Sequence, residues 1–203
     1  MGKYTELDQI SLDVLAELGN IGTGNAMTSL SQMTGHLLEI EIPRVEIVKY
    51  QEISRIVGEA EELQTGILVQ VSGKLEGMFL FLLSETFTQN ILRAVLGGEE
   101  RDLNALDDMD RSLICEMGNI MCGSYIRALS QLLDLEMNVT VPEMCIDMGG
   151  AILSVPLSRY LKISDDILLI ENKFRMGGQS FMGRILFLPE FESLQAMLSS
   201  IRE

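Results

Sequence analysis

The chain repeats itself. Laying residues 13–43 over residues 112–142, an offset of 99, matches Glu17 with Glu116, Gly19 with Gly118, Asn20 with Asn119, Ile21 with Ile120 and Gly24 with Gly123 without a gap. The triplets Leu30-Ser31-Gln32 and Leu129-Ser130-Gln131, then Pro43 and Pro142, bring the match to nine identities in thirty-one positions. Self-similarity of this kind means that one supersecondary unit is built twice, and neither unit buries its apolar face alone. The fold is therefore restricted to architectures in which two related halves complete each other.

Both halves read in the same order. Thr5-Glu-Leu-Asp8 has the form of a capping box ahead of a helix over residues 7–34, and Asn104 or Asp107 can cap a partner helix running to about residue 133. LLEIEIPRVEIV and LEMNVTVPEMCI then alternate apolar and polar residues as half-buried strands do, with Pro43 and Pro142 at matching points that tolerate a missing N–H. GILVQVSG with GMFLFLLS, and ILLIENKF with GRILFLP, read as hairpins. ETFTQNILRAVLGG and EFESLQAMLSSIRE close the halves as amphipathic helices, the first stopped by a Gly pair. The acidic GGEERDLNALDD reads as the connection between them. The expected fold class is α/β (α+β): a single pseudo-two-fold symmetric domain of two homologous halves, about residues 5–97 and 104–203, with a mostly antiparallel sheet packed by long helices.

Composition agrees with a real core, at 47% hydrophobic and 22% charged residues. Fifteen Lys and Arg against thirty Asp and Glu leave a net charge of −15, which opposes nucleic acid and anionic membranes and favours a protein partner. MGKYTELDQISLDV lacks the apolar centre of a signal peptide, and residues 78–83, the longest apolar run, are too few to span a bilayer. A cytoplasmic chain with no membrane insertion is expected. Cys115, Cys122 and Cys145 make no CxxC pair and read as reduced, mostly buried small side chains. His36 is the only histidine, which leaves too few ligands for a zinc site, and a Cys–His nucleophile pair would need that same residue, which reads better as an exposed or capping histidine after Gly35.

On a helix, Asp13, Glu17 and Asn20 fall within about 60° of one another with Gly24 on the same stripe, and Ser112, Glu116, Asn119 and Gly123 do likewise. The stripe runs beside an expected apolar face of Val14, Leu18 and Ile21. An acid and an amide thus project from a rigid surface that glycine leaves flat enough for another backbone to approach. Taken singly these are ordinary solvent-facing residues, but a mid-helix Gly costs about 1 kcal/mol relative to Ala, and its repetition marks a shared role. Paired-carboxylate hydrolysis is poorly supported, because the second stripe has Ser112 where the first has Asp13.

Both copies carry the spacing (Asp or Ser)-x3-Glu-x2-Asn-x22-Pro: Asp13, Glu17, Asn20, Pro43 and Ser112, Glu116, Asn119, Pro142. With the two-half layout, this resembles the CheC/CheX/FliY family of chemotaxis phosphatases, which dephosphorylate the phospho-aspartate of the response regulator CheY. The doubled motif is nearest the CheC branch, since CheX carries one motif and FliY an additional flagellar-switch domain. The resemblance implies that Asn20 and Asn119 orient the attacking water and that Glu17 and Glu116 pair with the regulator's lysine. Asp13 and Ser112, with Gly24 and Gly123, would support docking. It also implies no cofactor or metal of the chain's own, the Mg²⁺ being supplied by the bound regulator.

A second implied partner is CheD, a receptor-modifying deamidase. The segment CIDMGGAILSVPL resembles the helix through which CheC proteins bind it, which nominates Asp147, Ala151 and Ile152, although Gly149-Gly150 is awkward inside a helix. The alternative function is a non-catalytic chemotaxis adaptor or flagellar-switch docking module that uses the same helices without hydrolysis.

Overall fold

The computed structural model describes residues 9–41, 44–49, 52, 62–133, 136–160, 166–190 and 192–193. Helix α1 (Gln9–Thr34) leads to strands β1 (Leu38–Ile40), β2 (Arg44–Lys49), β3 (Leu63–Gly73) and β4 (Gly77–Ser84), then helix α2 (Glu85–Leu96). After a 3-10 turn at Leu103–Ala105 come helix α3 (Asp108–Leu133), strands β5 (Met137–Val139) and β6 (Glu143–Met148), helix α4 (Gly149–Tyr160), and strands β7 (Asp166–Met176) and β8 (Gln179–Pro189). The expected Thr5–Asp8 capping box and Pro43 lie outside the described residues, as does the expected C-terminal helix apart from Glu190, Glu192 and Ser193.

Local chemistry sets the boundaries. Gly35, at φ +67°, lets the chain leave α1 through the left-handed region. Asp107 caps α3: its Oδ1 accepts from the N–H groups of Met109 and Asp110, both at 2.9 Å. Ser84 caps α2 by accepting from the Phe87 N–H at 3.3 Å, and Gly97 ends that helix at φ +69°. The acidic connection between the halves is pinned. Gln89 Nε2 donates to the Arg101 carbonyl at 2.5 Å, and Arg101 Nε lies 2.6 Å from Asp110 Oδ1.

All the described strands join one sheet, ordered β1-β7-β8-β4-β3-β5, with β2 also on β7 and β6 also on β3, every pairing antiparallel. The halves exchange their edges. β1 and β2 of the first extend the β7–β8 hairpin of the second, while β5 and β6 extend the β3–β4 hairpin. At the centre β4 runs antiparallel to β8 with Leu80 opposite Leu186.

Alternation along β4 sends Phe79, Phe81 and Leu83 to one face and Met78, Leu80 and Leu82 to the other, and all six are buried. The first face carries the main core under α1, α2 and α3, where Phe79 stacks on Phe187 at 4.5 Å between ring centroids. The second face holds a smaller cluster that includes Ile152 and Leu153 of α4. Two-sided burial explains why the central strand β4 is apolar from Met78 to Leu83.

Candidate functional site

Helices α1 and α3 pack against each other across the main core, and small residues let them meet. A Cβ on Gly22 would stand 2.6 Å from Tyr125 Cδ1, so only glycine fits beneath that ring. Gly118 faces the sheet, where a Cβ would come within 2.5 Å of Ile67 Cγ2 and 3.5 Å of Pro142 Cβ. The long gap in the motif thereby acquires a physical sense: after β5 the chain returns to seat buried Pro142 against the helix at the motif's own glycine.

Between the helices the Tyr125 hydroxyl hydrogen-bonds Thr23 Oγ1, which donates to Asn172 Oδ1 of β7 at 3.1 Å. Burial pushes the Tyr125 phenol upward, so it stays neutral and serves as a donor. This polar link, not visible in the sequence, ties the two helices and the sheet together.

Glu17, Gly19 and Asn20 divide between opposite faces. Gly19 is buried, while Asp13, Glu17, Asn20 and Gly24 are exposed. On α3, Gly118 is buried, Ser112, Glu116 and Asn119 are exposed, and Gly123 is half-buried. Asn119 Nδ2 donates to Glu116 Oε2 at 3.3 Å, one helical turn away, so acid and amide of the second pair share a surface.

The expected apolar face needs correction. The residues of α1 that enter the core are Leu15, Ala26, Met27 and Leu30; Val14 is half-buried, Ile21 is 36% exposed, and the Leu18 side chain lies outside the described residues. Where the two helices and the sheet converge, the small residues Gly19, Gly22, Thr23 and Ala26 are also buried, and Ile21 is left at the rim beside Asn20. The exposed surface around the first pair is therefore partly apolar.

The cysteines also differ from expectation. Cys122 is buried, and its thiol is pushed up to about 12 by that burial, but Cys115 is half-buried and Cys145 exposed. Cys145 lines a cleft of about 290 Å³ between β6 and α4, together with Leu68, Asp147, Ala151, Ile152 and Pro156. The three residues nominated for the second partner are thus brought to one place. Asp147 is exposed on β6, Ala151 is half-buried, and Ile152 is only 5% exposed, with Cγ2 2.5 Å from where a Gly66 Cβ would stand. The Gly pair is no obstacle, because Gly149 and Gly150 begin α4.

Among the described residues, no three His, Cys, Asp or Glu side chains converge as a metal-binding group, and no helix is long and apolar enough to cross a membrane.

Comparison with known proteins falls on both motifs. The family of chemotaxis phosphatase CheX matches residues 65–163, and the CheC-like family matches residues 10–47. A Bacillus subtilis (strain 168) protein described as CheY-P phosphatase CheC is 25% identical over 99% of this chain and 98% of its own length. The chain is thus similar to the CheC/CheX family at both motif copies. Each motif copy sits inside one family match: Asp13, Glu17, Asn20 and Pro43 in the first, Ser112, Glu116, Asn119 and Pro142 in the second. The same fold recurs in solved structures. Thermotoga maritima FliY superposes with a TM-score of 0.74 at 22% identity, covering 97% of this chain and 98% of that one. The FliM middle domain from H. pylori gives 0.67 at 10% identity, covering 96% and 99%.

Proposed function

We propose that the chain is a phosphatase acting on the phospho-aspartate of a CheY-type response regulator, with one site on α1 and another on α3. The observation that carries this reading is the Glu–Asn pair exposed on each of two packed helices whose intervening glycine is turned inward. The name of the B. subtilis relative supports the same substrate. An acyl phosphate held in a regulator that supplies its own Mg²⁺ and lysine lacks mainly a water in line with phosphorus. The carboxamides of Asn20 and Asn119 both donate and accept, so each can fix the orientation of that water. Glu17 and Glu116 pair with the regulator's lysine and set the register, while Asp13, Ser112 and the flat surfaces at Gly24 and Gly123 support docking. In this reading the chain needs no cofactor of its own.

We further read the β6–α4 cleft as the contact for a CheD-type deamidase. Its support is that Asp147, Ala151 and Ile152 line one cavity, with Asp147 the exposed member.

A non-catalytic docking module is the second reading, favoured by the likeness of the fold to the FliM middle domain. Phosphate loss from a purified, phosphorylated CheY-type regulator separates the two. Acceleration by catalytic amounts of the chain is expected. Unchanged decay in the presence of bound chain would leave the docking reading.

A further inference from the structure

The two motif-bearing helices are not electrically equivalent. α1 has no Lys or Arg in Gln9–Thr34, whereas α3 carries Arg111 and Arg127. Arg127 follows Glu116 by the same interval that separates Thr28 from Glu17, so at 100° per residue it continues the outward stripe of Glu116, Asn119 and Gly123.

Helical side chains lean toward the N-terminus, and this one folds back over the glycine: Arg127 Nη1 stands 3.4 Å from the place of a Gly123 Cβ. Its Nη2 donates to Ser124 Oγ at 3.2 Å, and that fully buried hydroxyl in turn donates to the Ile120 carbonyl at 2.8 Å. The guanidinium is therefore held at one end. It has five N–H donors, and among the described residues its side chain makes that single hydrogen bond and no ion pair. On α1 the matching Thr28 hydroxyl bonds back to the Gly24 carbonyl at 3.1 Å, and the space over Gly24 is open to 4 Å.

We propose that Arg127 is a specificity-determining contact of the second site, binding a carboxylate or phosphoryl oxygen on the face of the docked phospho-regulator and making this site the tighter of the two. The inference rests on the phosphatase reading. A chain of net charge −15 repels a phosphorylated acidic surface, and a cation on the docking helix offsets that repulsion locally. Its planar fork suits paired oxygens. Gly123 lies one turn from Asn119, about 6 Å along the axis, so the guanidinium borders the amide's place instead of entering it. It should act on binding more than on turnover.

The test starts from the one-site variant Glu17→Lys/Asn20→Ala, in which only the second site is intact. Adding Arg127→Ala should raise KM for a CheY-type regulator phosphorylated with acetyl phosphate by about 3–10-fold, with kcat held within about twofold. Calorimetric affinity for the beryllofluoride-loaded regulator should fall by the same factor. Arg93→Ala on α2 removes the same charge from an exposed position and should change neither quantity. Unchanged KM and affinity in Arg127→Ala, or an equal loss in Arg93→Ala, overturns the proposal and leaves the phosphatase reading intact. A one-site variant that turns over nothing, yet binds the beryllofluoride-loaded regulator with an affinity dependent on Arg127, keeps the contact and overturns the phosphatase reading. Absence of both binding and turnover overturns both.

Discussion

Gly118 and Gly24 belong to the same repeated motif and answer to different constraints. A Cβ at Gly118 would press on Ile67 at 2.5 Å, so the fold itself demands glycine there. Nothing lies within 4 Å of a Cβ at Gly24, and no contact within the described residues accounts for that glycine. Gly118→Ala should therefore destabilise by about 1–3 kcal/mol through overpacking. Gly24→Ala should stabilise by about 0.5–1 kcal/mol through helix propensity, while weakening turnover at the first site, where a partner's backbone is proposed to approach. Denaturant midpoints and site-specific rates check both; a Gly24→Ala chain that loses stability would mean that the glycine serves the fold after all. Repetition in the sequence marked both glycines as constrained. Helix periodicity put Gly24 on the outward stripe, but it could not show that Gly118 is pressed against the sheet, because that depends on where α3 and β3 meet.

At the scale of elements, the helices were the most legible part. The expected ends at residues 34 and about 133 match α1 and α3, since periodicity and caps are local signals. The second hairpin was read too short. β7 and β8 continue to Met176 and from Gln179 around Gly177-Gly178, both at positive φ, because the mixed stretch RMGGQSFM carries a two-residue turn inside weakly patterned strand. Of the apolar face expected on α1, Val14 is half-buried and Ile21 exposed, because close helix packing selects the small buried residues Gly19, Gly22, Thr23 and Ala26, which a hydrophobic pattern does not mark. The Tyr125–Thr23–Asn172 link was illegible, joining Thr23 to residues 102 and 149 positions away. In the β6–α4 cleft the structure also decides which substitution makes a usable test. Ile152→Ala would empty a core position, at a cost of about 2–5 kcal/mol, and so confounds binding with folding. Asp147→Lys changes an exposed strand residue, should shift stability by less than about 0.5 kcal/mol, and should weaken binding of a CheD-type deamidase; unchanged affinity would remove this cleft from the partner's footprint.

Across the whole molecule, one sheet joins the halves through exchanged edges and the central β4–β8 pairing, and the same core supports both motif helices. That arrangement sets two exposed Glu–Asn pairs on one shared core, and the proposed two-site phosphatase requires both amides to work. Removing one preorganised hydrogen-bonding group from a transition state typically costs about 10²–10³ in rate at that site. Two proposed sites that each take their own regulator should have additive turnovers, so each single variant should keep whatever its intact partner contributes. The deciding measurement is phosphate release from a phosphorylated CheY-type regulator with Asn20→Ala, Asn119→Ala and the double variant, each with an unfolding midpoint matching the parent chain. Partial losses in the single variants and near-complete loss in the double variant are predicted; a folded double variant that still dephosphorylates the regulator at the parent rate would contradict the catalytic role of both amides.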